Sequence, residues 1–285
     1  MLLLSLSTEG FGQDISKAMS FNIRYATKND GVNQWENRKK ELVGLIKKYD
    51  PDVIGFQEVL LSQLNFLIKT NSEFHKIGVA RGDGKEKGEF SPILFNSKKF
   101  DLIESNTFWL SETPNNPSIG WDAAHKRICS YVKLRYKSSQ NTLWVFNTHF
   151  DHIGEKSKKN SAFLIIKKIK TLVSNKDNVI LMGDFNSYPE TLPITKIKTY
   201  FEVFNAISSR LISLEEIVSL TFFFKNFTWL IESSLFFIFC SISNNSSSEL
   251  IKASNAHLAS SFATAVLSSH SSLIFDQLLG ISFMR

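Results

Sequence analysis

The sequence predicts an α/β domain in which strands alternate with amphipathic helices. Two short apolar runs, residues 53–56 and 179–182, have the length and the β-branched start of buried strands. A helix with Leu42 and Ile46 on its apolar face precedes the first of these runs and follows an earlier strand, which gives a β-α-β unit. The polar residues after each run therefore fall at strand ends, where open α/β sheets bind ligands.

Length and composition fit an ordinary globular protein of one large or two small domains. The chain has 285 residues and is 43% hydrophobic and 21% charged. Its net charge of +6 suits a polyanionic partner, although a Lys excess also serves solubility alone. Two cysteines, Cys129 and Cys240, exclude a disulfide framework and a cysteine-based zinc site.

In the first half, residues 18–25 alternate as a strand that contains Asn22. Asn is disfavoured in strands, so Asn22 is either an amide facing a site or an exposed residue on an edge strand. A helix over residues 39–49 ends before Pro51. The strand over residues 53–56 is followed by Glu58, a carboxylate that needs a cation, a metal or hydrogen-bond donors.

The remaining elements are predicted from the same patterns, and their ranges are a helix over 59–68, a charged loop over 82–88, strands over 89–95, 100–110, 128–136 and 143–152, a helix over 161–173 and a strand over 179–182. Glu89 leads one of these strands, and His149 lies near the end of another. After the last strand, Asp184 and Asn186 share one face and Phe185 takes the other, unless the segment is only a turn.

Four strand ends thus carry a set of oxygen ligands and one imidazole, namely Asn22, Glu58, His149 and the Asp184/Asn186 pair. Carboxylate and amide oxygens suit Mg²⁺, Mn²⁺ or Ca²⁺, and one or two carboxylates combined with water and phosphate suit Mg²⁺ best. His149 could donate to a phosphate or move a proton. The pattern predicts metal-assisted phosphate chemistry.

The order of four motifs, at residues 20–24, 55–59, 147–152 and 183–186, resembles the endonuclease/exonuclease/phosphatase superfamily over about residues 18–200. Two further segments, residues 35–38 and 121–127, resemble its bacterial metal-dependent hydrolases, which are similar to the poly(A)-nuclease and neutral sphingomyelinase branches. The resemblance implies a four-layer sandwich of two mixed sheets flanked by helices. It also implies a site at one rim and Mg²⁺ or Mn²⁺ as cofactor.

The same resemblance implies roles for the residues around the metal. Glu58 resembles the main metal ligand, and Asn22 resembles the amide beside the metal and a phosphate oxygen. Asp184 resembles the residue that orients or deprotonates the attacking water. Asn186 resembles the residue that holds the phosphate.

The resemblance also implies a second group of residues around the phosphate. His149 matches the histidine that stabilises the pentavalent phosphate, and Glu89 matches the acid bonded to that histidine. Arg127 resembles a phosphate-contacting arginine. Glu89 could instead be a solvated strand end, and Arg127 a surface cation. We expect Asp151 and His152 to shape their loop rather than to act in chemistry.

The chain divides into three predicted segments. Residues 1–17 resemble a truncated signal peptide or are an N-terminal tail, residues 18–204 form the family-like domain, and residues 205–285 form an atypical tail. The apolar start favours a secreted or periplasmic protein over a cytoplasmic one.

The tail is poor in charge and rich in Phe and Ser. From residue 211 onward it has eight charged residues, namely Glu215, Glu216, Lys225, Glu232, Glu249, Lys252, Asp276 and Arg285. The family's last two strands and their Ser-Asp-His motif have no match, since Ser269 precedes His270. We expect the C-terminal strands to be incomplete. The tail is a membrane segment over residues 219–243, a divergent domain end or a frameshift product, and the abrupt change favours the frameshift.

The sequence therefore predicts a divalent-metal-dependent phosphoester hydrolase of the phosphodiesterase or nuclease type, impaired by loss of the Asp-His pair. One alternative is an inactive family member that binds phosphate or nucleic acid. Another is a phospholipid phosphodiesterase. We expect a monomer that acts on a nucleic acid, a phospholipid or a small phosphodiester, without a stable membrane span.

Overall fold

The protein is described by a computed structural model that covers residues 17–174, 177–207 and 217–221. This part of the chain contains nine strands and four α-helices: β1 (Ala18–Asn22), α1 (Trp35–Tyr49), β2 (Val53–Gln57), α2 (Leu61–Thr70), β3 (Phe74–Ile77), β4 (Ile93–Asn96), β5 (Phe100–Trp109), β6 (Ile128–Tyr136), β7 (Thr142–His149), α3 (Glu155–Leu172), β8 (Asn178–Asp184), α4 (Leu192–Ile207) and β9 (Ile217–Thr221). The predicted signal-like segment, except for residue 17, lies outside the described residues.

The strands form two mixed sheets. The first sheet has the order β3-β4-β2-β1-β9, in which β1 runs parallel to both β2 and β9. The second sheet has the order β5-β6-β7-β8, in which only β7 and β8 are parallel. Because parallel neighbours end at the same edge, β1 and β2 end together and β7 and β8 end together.

Helices cover the outer face of each sheet. Leu42 of α1 and Leu64 of α2 pack on the first sheet, and Ile165 of α3 and Ile197 of α4 pack on the second. A third cluster of buried residues, including Val53 and Val145, fills the space between the sheets. The predicted fold class, an α/β sandwich of two mixed sheets flanked by helices, is confirmed.

Alternation along the strands places the polar residues between the sheets. In β1, Met19 and Phe21 pack toward the helices, so Ser20 and Asn22 face the second sheet. In β8, Met182 packs in the inter-sheet core, and Asp184 continues that face to the strand end. The inner faces therefore turn from apolar to polar at the edge where the parallel strands end.

A buried amide pair joins the two sheets below this edge. Gln57 donates to the Asn147 side-chain oxygen at 2.7 Å, and the Asn147 amide donates to the carbonyl oxygens of Phe56 at 2.8 Å and Pro92 at 2.9 Å. Gly55 makes room for this contact, because a Cβ there would lie 2.7 Å from the Asn147 side chain. The amide pair sets the separation of the sheets next to the candidate site.

The structure corrects several strand boundaries. β1 ends at Asn22 rather than at residue 25, since Arg24 has a φ of +55° that no strand tolerates. β1 lies between β2 and β9, so the edge-strand interpretation of Asn22 is wrong. Glu89 precedes β4 in a segment that pairs with its neighbours only through single bridges at Phe90. β3 was not predicted from the sequence.

The helices are longer or shifted relative to the sequence patterns. α1 begins at Trp35 instead of residue 39, α2 begins at Leu61 instead of residue 59, and α3 begins at Glu155 instead of residue 161. The first turns of α1 and α3 are mostly polar, so hydrophobic periodicity marks only the later turns of these two helices. α4 was not predicted.

A strand forms within the predicted atypical tail. Ile217–Thr221 forms β9 and pairs with β1 from Ala18 to Asn22. α4 runs across the predicted boundary at residue 204, and that boundary remains a prediction. No helix among the described residues has the length and apolar content needed to cross a membrane. The predicted apolar segment beyond residue 221 lies outside those residues.

Candidate active site

The centre of the polar edge is an amide shared by two carboxylates. The Asn22 Nδ2 group donates to Glu58 Oε1 at 3.1 Å and to Asp184 Oδ2 at 2.9 Å. Asn22 lies in the first sheet and Asp184 in the second, so the bond between them joins the two sheets at this edge. The Asn22 oxygen accepts from the Arg24 N–H at 2.9 Å. Three of the predicted site residues are therefore in direct contact.

Glu58 is held by the strained turn after β2. Its φ is +59°, in the left-handed region, and its second carboxylate oxygen accepts from the Tyr25 N–H at 3.1 Å. The loop that carries Tyr25 is fixed by Arg38, which donates to the carbonyl oxygens of Ile23 and Arg24. The Glu58 carboxylate is thus oriented by backbone donors as well as by an amide side chain.

Asp184 and Asn186 bracket a tight turn. The Asn186 N–H donates to Asp184 Oδ1 at 3.0 Å, and Asn186 has a φ of +44°. The Asn186 side-chain amide donates to the Phe150 carbonyl at 3.0 Å, so the turn is tied to the loop after β7. Phe185 packs edge-on against Phe150, with ring centroids 5.2 Å apart, on the face opposite Asp184. The predicted alternation of Asp184 and Phe185 matches this arrangement.

His149 is buried beside this carboxylate. Its Nε2 lies 3.9 Å from Asp184 Oδ2, and His149 and Asp184 are partners in the β7–β8 register. Burial, with the positive charge of Arg127 as the next cause, lowers the pKa of His149 well below its usual value. The imidazole is therefore neutral at neutral pH, and each neutral ring nitrogen serves either as donor or as acceptor.

Glu89 pairs with an arginine that the sequence analysis did not single out. Arg81 donates to Glu89 Oε1 at 2.7 Å, and both side chains are largely buried. No hydrogen bond joins Glu89 to His149 within the described part of the chain, in contrast to the bond that the resemblance implied. Burial raises the pKa of Glu89 in spite of the Arg81 charge. Arg81 lies in a loop without periodicity, so no sequence signal marked it.

Arg127 is buried rather than a surface cation. Its side chain is 4% exposed, Nε donates to Asp151 Oδ2 at 3.2 Å, and Nη2 lies 3.1 Å from His152 Nδ1. Its remaining nitrogen, Nη1, has no hydrogen-bond partner among the described residues. A buried guanidinium with an unused donor is suited to an anionic ligand.

Asp151 organises the loop after β7. Its Oδ1 accepts from the N–H groups of Ile153 and Gly154, and its Oδ2 accepts from the His125 N–H. Burial acts to raise the pKa of Asp151, but these backbone donors and the Arg127 charge outweigh it and hold the pKa well below its ordinary value. The contacts agree with the prediction that Asp151 shapes the loop.

The chemistry at Asn22 fits a divalent cation. The carboxylates of Glu58 and Asp184 both accept from the Asn22 amide group. A divalent cation would neutralise the charge of these carboxylate oxygens more fully than the neutral amide does. No group of three or more His, Cys, Asp or Glu side chains among the described residues is arranged to hold a metal ion by itself. Mg²⁺ does not need one, because it usually binds through one or two carboxylates and water.

Comparison with known proteins agrees with the fold and shows the family. The model of the Endonuclease/Exonuclease/phosphatase family matches residues 19–233. A mannosyl-6-phosphatase from Bacteroides thetaiotaomicron is 38% identical with a TM-score of 0.61, and the match covers 64% of this chain and 68% of that one. A protein of the same family from Bacteroides vulgatus is 39% identical with a TM-score of 0.62, over 63% and 69% of the two chains.

A probable RNA exonuclease from Saccharomyces cerevisiae is 33% identical over 181 residues. The match covers 58% of this chain but only 34% of the yeast protein, so the chain spans about a third of that relative's length. The structure of a Bacteroides thetaiotaomicron family protein is matched over 66% of its length, with 38% identity and a TM-score of 0.60.

The fold defines the class of this protein as an α/β sandwich of two mixed sheets whose shared edge carries carboxylate and amide side chains. The chain belongs to the endonuclease/exonuclease/phosphatase family, as its family-model match over residues 19–233 shows. Members of this family are hydrolases and generally use divalent metal ions.

Proposed function

We propose that this protein is a phosphoester hydrolase that depends on a divalent metal ion and acts at the edge formed by Asn22, Glu58, His149 and Asp184. The observation that carries the proposal is the sharing of one amide group by the Glu58 and Asp184 carboxylates across the two sheets. Such convergence of charge costs free energy unless a cation or substrate uses it. The neighbouring buried imidazole supplies the proton chemistry that ester hydrolysis needs.

Glu58 and Asn22 are the residues that would hold the ion, for which Mg²⁺ and Mn²⁺ are the proposed candidates. When bound, such an ion supplies charge stabilisation for the phosphate and acidifies a coordinated water. Glu58 is already oriented for this by the Tyr25 N–H and by Asn22, so little rearrangement is required.

Side chains of this protein are proposed to activate the water, bind the phosphate and position these groups. Asp184 orients the attacking water and accepts its proton, because it is a carboxylate at the strand end with one oxygen 3.9 Å from His149. His149, neutral because of its burial, donates a hydrogen bond to a phosphate oxygen. Asn186 is proposed to hold the phosphate, and Glu89, which bonds to Arg81 and not to His149, is proposed to position Arg81. Their contacts with Phe150 and Arg81 support roles in positioning.

A phosphodiester of the nucleic-acid type is the proposed substrate. The yeast relative named as a probable RNA exonuclease supports it, as does the net charge of +6. Tyr25 is 45% exposed and Tyr188 is 52% exposed, and both are close in sequence to site residues. Exposed rings of this kind can stack on nucleobases.

A sugar phosphate is a second candidate substrate. The observation that favours it is the 38% identity to the Bacteroides mannosyl-6-phosphatase, which is higher than the identity to the yeast relative. A phospholipid is a third substrate to test, since the exposed rings of Tyr25 and Tyr188 also suit a lipid surface.

The test is hydrolysis by the full-length chain with Mg²⁺ or Mn²⁺ of bis(p-nitrophenyl) phosphate, a short RNA, mannose 6-phosphate and sphingomyelin. We expect EDTA to abolish turnover and Glu58→Gln to lower it by at least about a hundredfold. Glu41→Gln is the matched control, because Glu41 is an exposed residue of α1 away from the site. Absence of turnover on all four substrates, with phosphate still bound, would favour the binding-only alternative instead.

A further inference from the structure

Two exposed histidines lie beside the site without a role in the proposed chemistry. The rings of His125 and His152 stack with centroids 5.7 Å apart and an interplanar angle of 18°. His152 belongs to the loop after β7, and His125 precedes β6. The loops that carry them are joined by the hydrogen bond from the His125 N–H to Asp151. The two histidine rings are therefore held together by the contact between their loops.

The contact with Arg127 determines which nitrogen of His152 carries a proton. Arg127 Nη2 lies 3.1 Å from His152 Nδ1. A guanidinium can only donate, so Nδ1 must accept and cannot hold a proton itself. The ring proton of His152 is then on Nε2. No partner of that Nε2–H is found among the described residues.

The cluster therefore holds two unused donors, the His152 Nε2–H and the buried Arg127 Nη1. Unused donors on two side chains that contact each other favour an oxyanion as ligand. The cluster is also close to the reacting position, because His152 follows His149 by three residues and Arg127 directly precedes β6, which pairs with the end of β7 through Cys129 and Thr148. An anion bound there would be part of the same substrate.

We propose that His152, held by Arg127 as the Nε2–H tautomer, donates a hydrogen bond to a non-bridging oxygen of the substrate's phosphate group. The inference rests on the proposed function, since it names a second imidazole that holds the phosphate in the same site. His125 supports the ring by stacking and acts as a positioning residue.

The first test is nitrogen-15 NMR of the histidines in the full-length protein near neutral pH. We expect His152 to show a proton on Nε2 and none on Nδ1, and its Nε2–H signal to shift when inorganic phosphate is added. The signal is assigned by its loss in His152→Phe. A proton on Nδ1, or no shift on adding phosphate, overturns the proposal.

The second test is calorimetric titration with inorganic phosphate. His152→Phe keeps a ring for the stack but removes the donor, and we expect the Kd to rise about tenfold or more, as for loss of a hydrogen bond to a charged group. His75→Phe is the matched control, since His75 is an exposed β3 residue that packs on Phe95, and its Kd should not change. An unchanged Kd in His152→Phe overturns the inference.

The experiments distinguish failure of the proposed hydrolase function from failure of the inference about His152. If no phosphoester is hydrolysed but phosphate binding still depends on His152, the proposed function fails and the inference stands. If hydrolysis is observed and His152→Phe has the same KM and Kd as the native chain, the inference fails and the function stands.

Discussion

At the scale of single residues, the site is set by one amide. Asn22 offers two N–H groups, and both are used by carboxylates that come from different sheets. A side chain with one donor could serve only one of them, and a carboxylate would add a third negative charge. Asn is therefore selected here in a strand position where its intrinsic preference is poor.

Replacing Asn22 by Ala removes both donors and leaves Glu58 and Asp184 facing each other. We expect kcat/KM for a chromogenic phosphodiester to fall by about a hundredfold, since two hydrogen bonds to charged groups are lost. Steady-state kinetics with Mg²⁺ measure the effect. Asn106→Ala, at an exposed position of β5, is the control and should leave the kinetics unchanged. A twofold change in Asn22→Ala would contradict the assignment.

The lowered pKa of Asp151 predicts how the free energy of unfolding depends on pH. Its pKa is lower in the folded chain than in the unfolded chain, so its carboxylate stabilises the fold above about pH 4, the unfolded value. That contribution is lost as pH falls through the lower folded pKa. We expect Asp151→Asn to reduce the free energy of unfolding by about 3 kcal/mol at pH 7, since Arg127 loses its buried partner.

Urea unfolding of both proteins over a series of pH values measures this difference. The difference in unfolding free energy between the two proteins should narrow below about pH 4, where the Asp151 carboxylate of the unfolded chain begins to be protonated while that of the folded chain is still ionised. Asp101→Asn is the control, because Asp101 pairs with Arg135 at a well-exposed position and should contribute little. A gap that widens toward low pH would show that the sign is wrong.

At the scale of elements, the site depends on how closely the two sheets approach. β2 can lie against β7 because Gly55 has no side chain where Asn147 crosses between the sheets. The same crossing satisfies two carbonyl oxygens next to the strand ends. The polar edge is therefore supported by hydrogen bonds between amide groups as well as by apolar packing.

A methyl group at Gly55 should disturb this layer. We expect Gly55→Ala to lower the free energy of unfolding by about 1–3 kcal/mol, because Asn147 and Met182 would both be within 2.8 Å of the new Cβ. Gly44→Ala in α1 is the matched control: nothing lies within 4 Å of its Cβ position, and Ala should stabilise the helix by about 0.5–1 kcal/mol. The midpoints of urea unfolding measure both. Equal effects of the two substitutions would refute the steric argument.

Strands could be predicted from the sequence wherever there is an alternating or continuous apolar run, as for β6 and β8. The same reasoning could not find Arg81, because a loop residue is brought to Glu89 only by the tertiary structure. It also missed the Gln57–Asn147 pair, although Asn147 follows Leu143 and Val145 at the strand period and could have been assigned to the inner face. Helix starts were placed late because their first turns carry no apolar stripe.

At the scale of the whole molecule, the site exists only when both halves of the sandwich are assembled. Glu58 and Asn22 come from the first sheet, and His149 and Asp184 come from the second. An ion that binds this site binds the folded chain alone, so its binding free energy adds to the stability of the fold.

Thermal unfolding should therefore respond to the metal. We expect the Tm of the full-length chain to rise with Mg²⁺ or Mn²⁺, by an amount equivalent to about 2.7 kcal/mol when the ion is at a hundred times its Kd. Excess EDTA should reverse the rise. Glu58→Gln should show a much smaller rise, and Glu41→Gln should behave as the native chain. A rise of the same size in Glu58→Gln would place the ion elsewhere.

The pairing of β9 with β1 has a consequence for the folding of this chain during its synthesis. Ile217 lies opposite Ala18, so β1, an internal strand of the first sheet, gains one of its two neighbours from a segment about 200 residues later in the chain. During synthesis β1 can pair with β2 early, but its other edge keeps unpaired backbone groups until residue 221 has left the ribosome. Contacts of such sequence separation form slowly. Completion of the first sheet is then a late event, and the nascent chain depends on that edge staying protected from other strands.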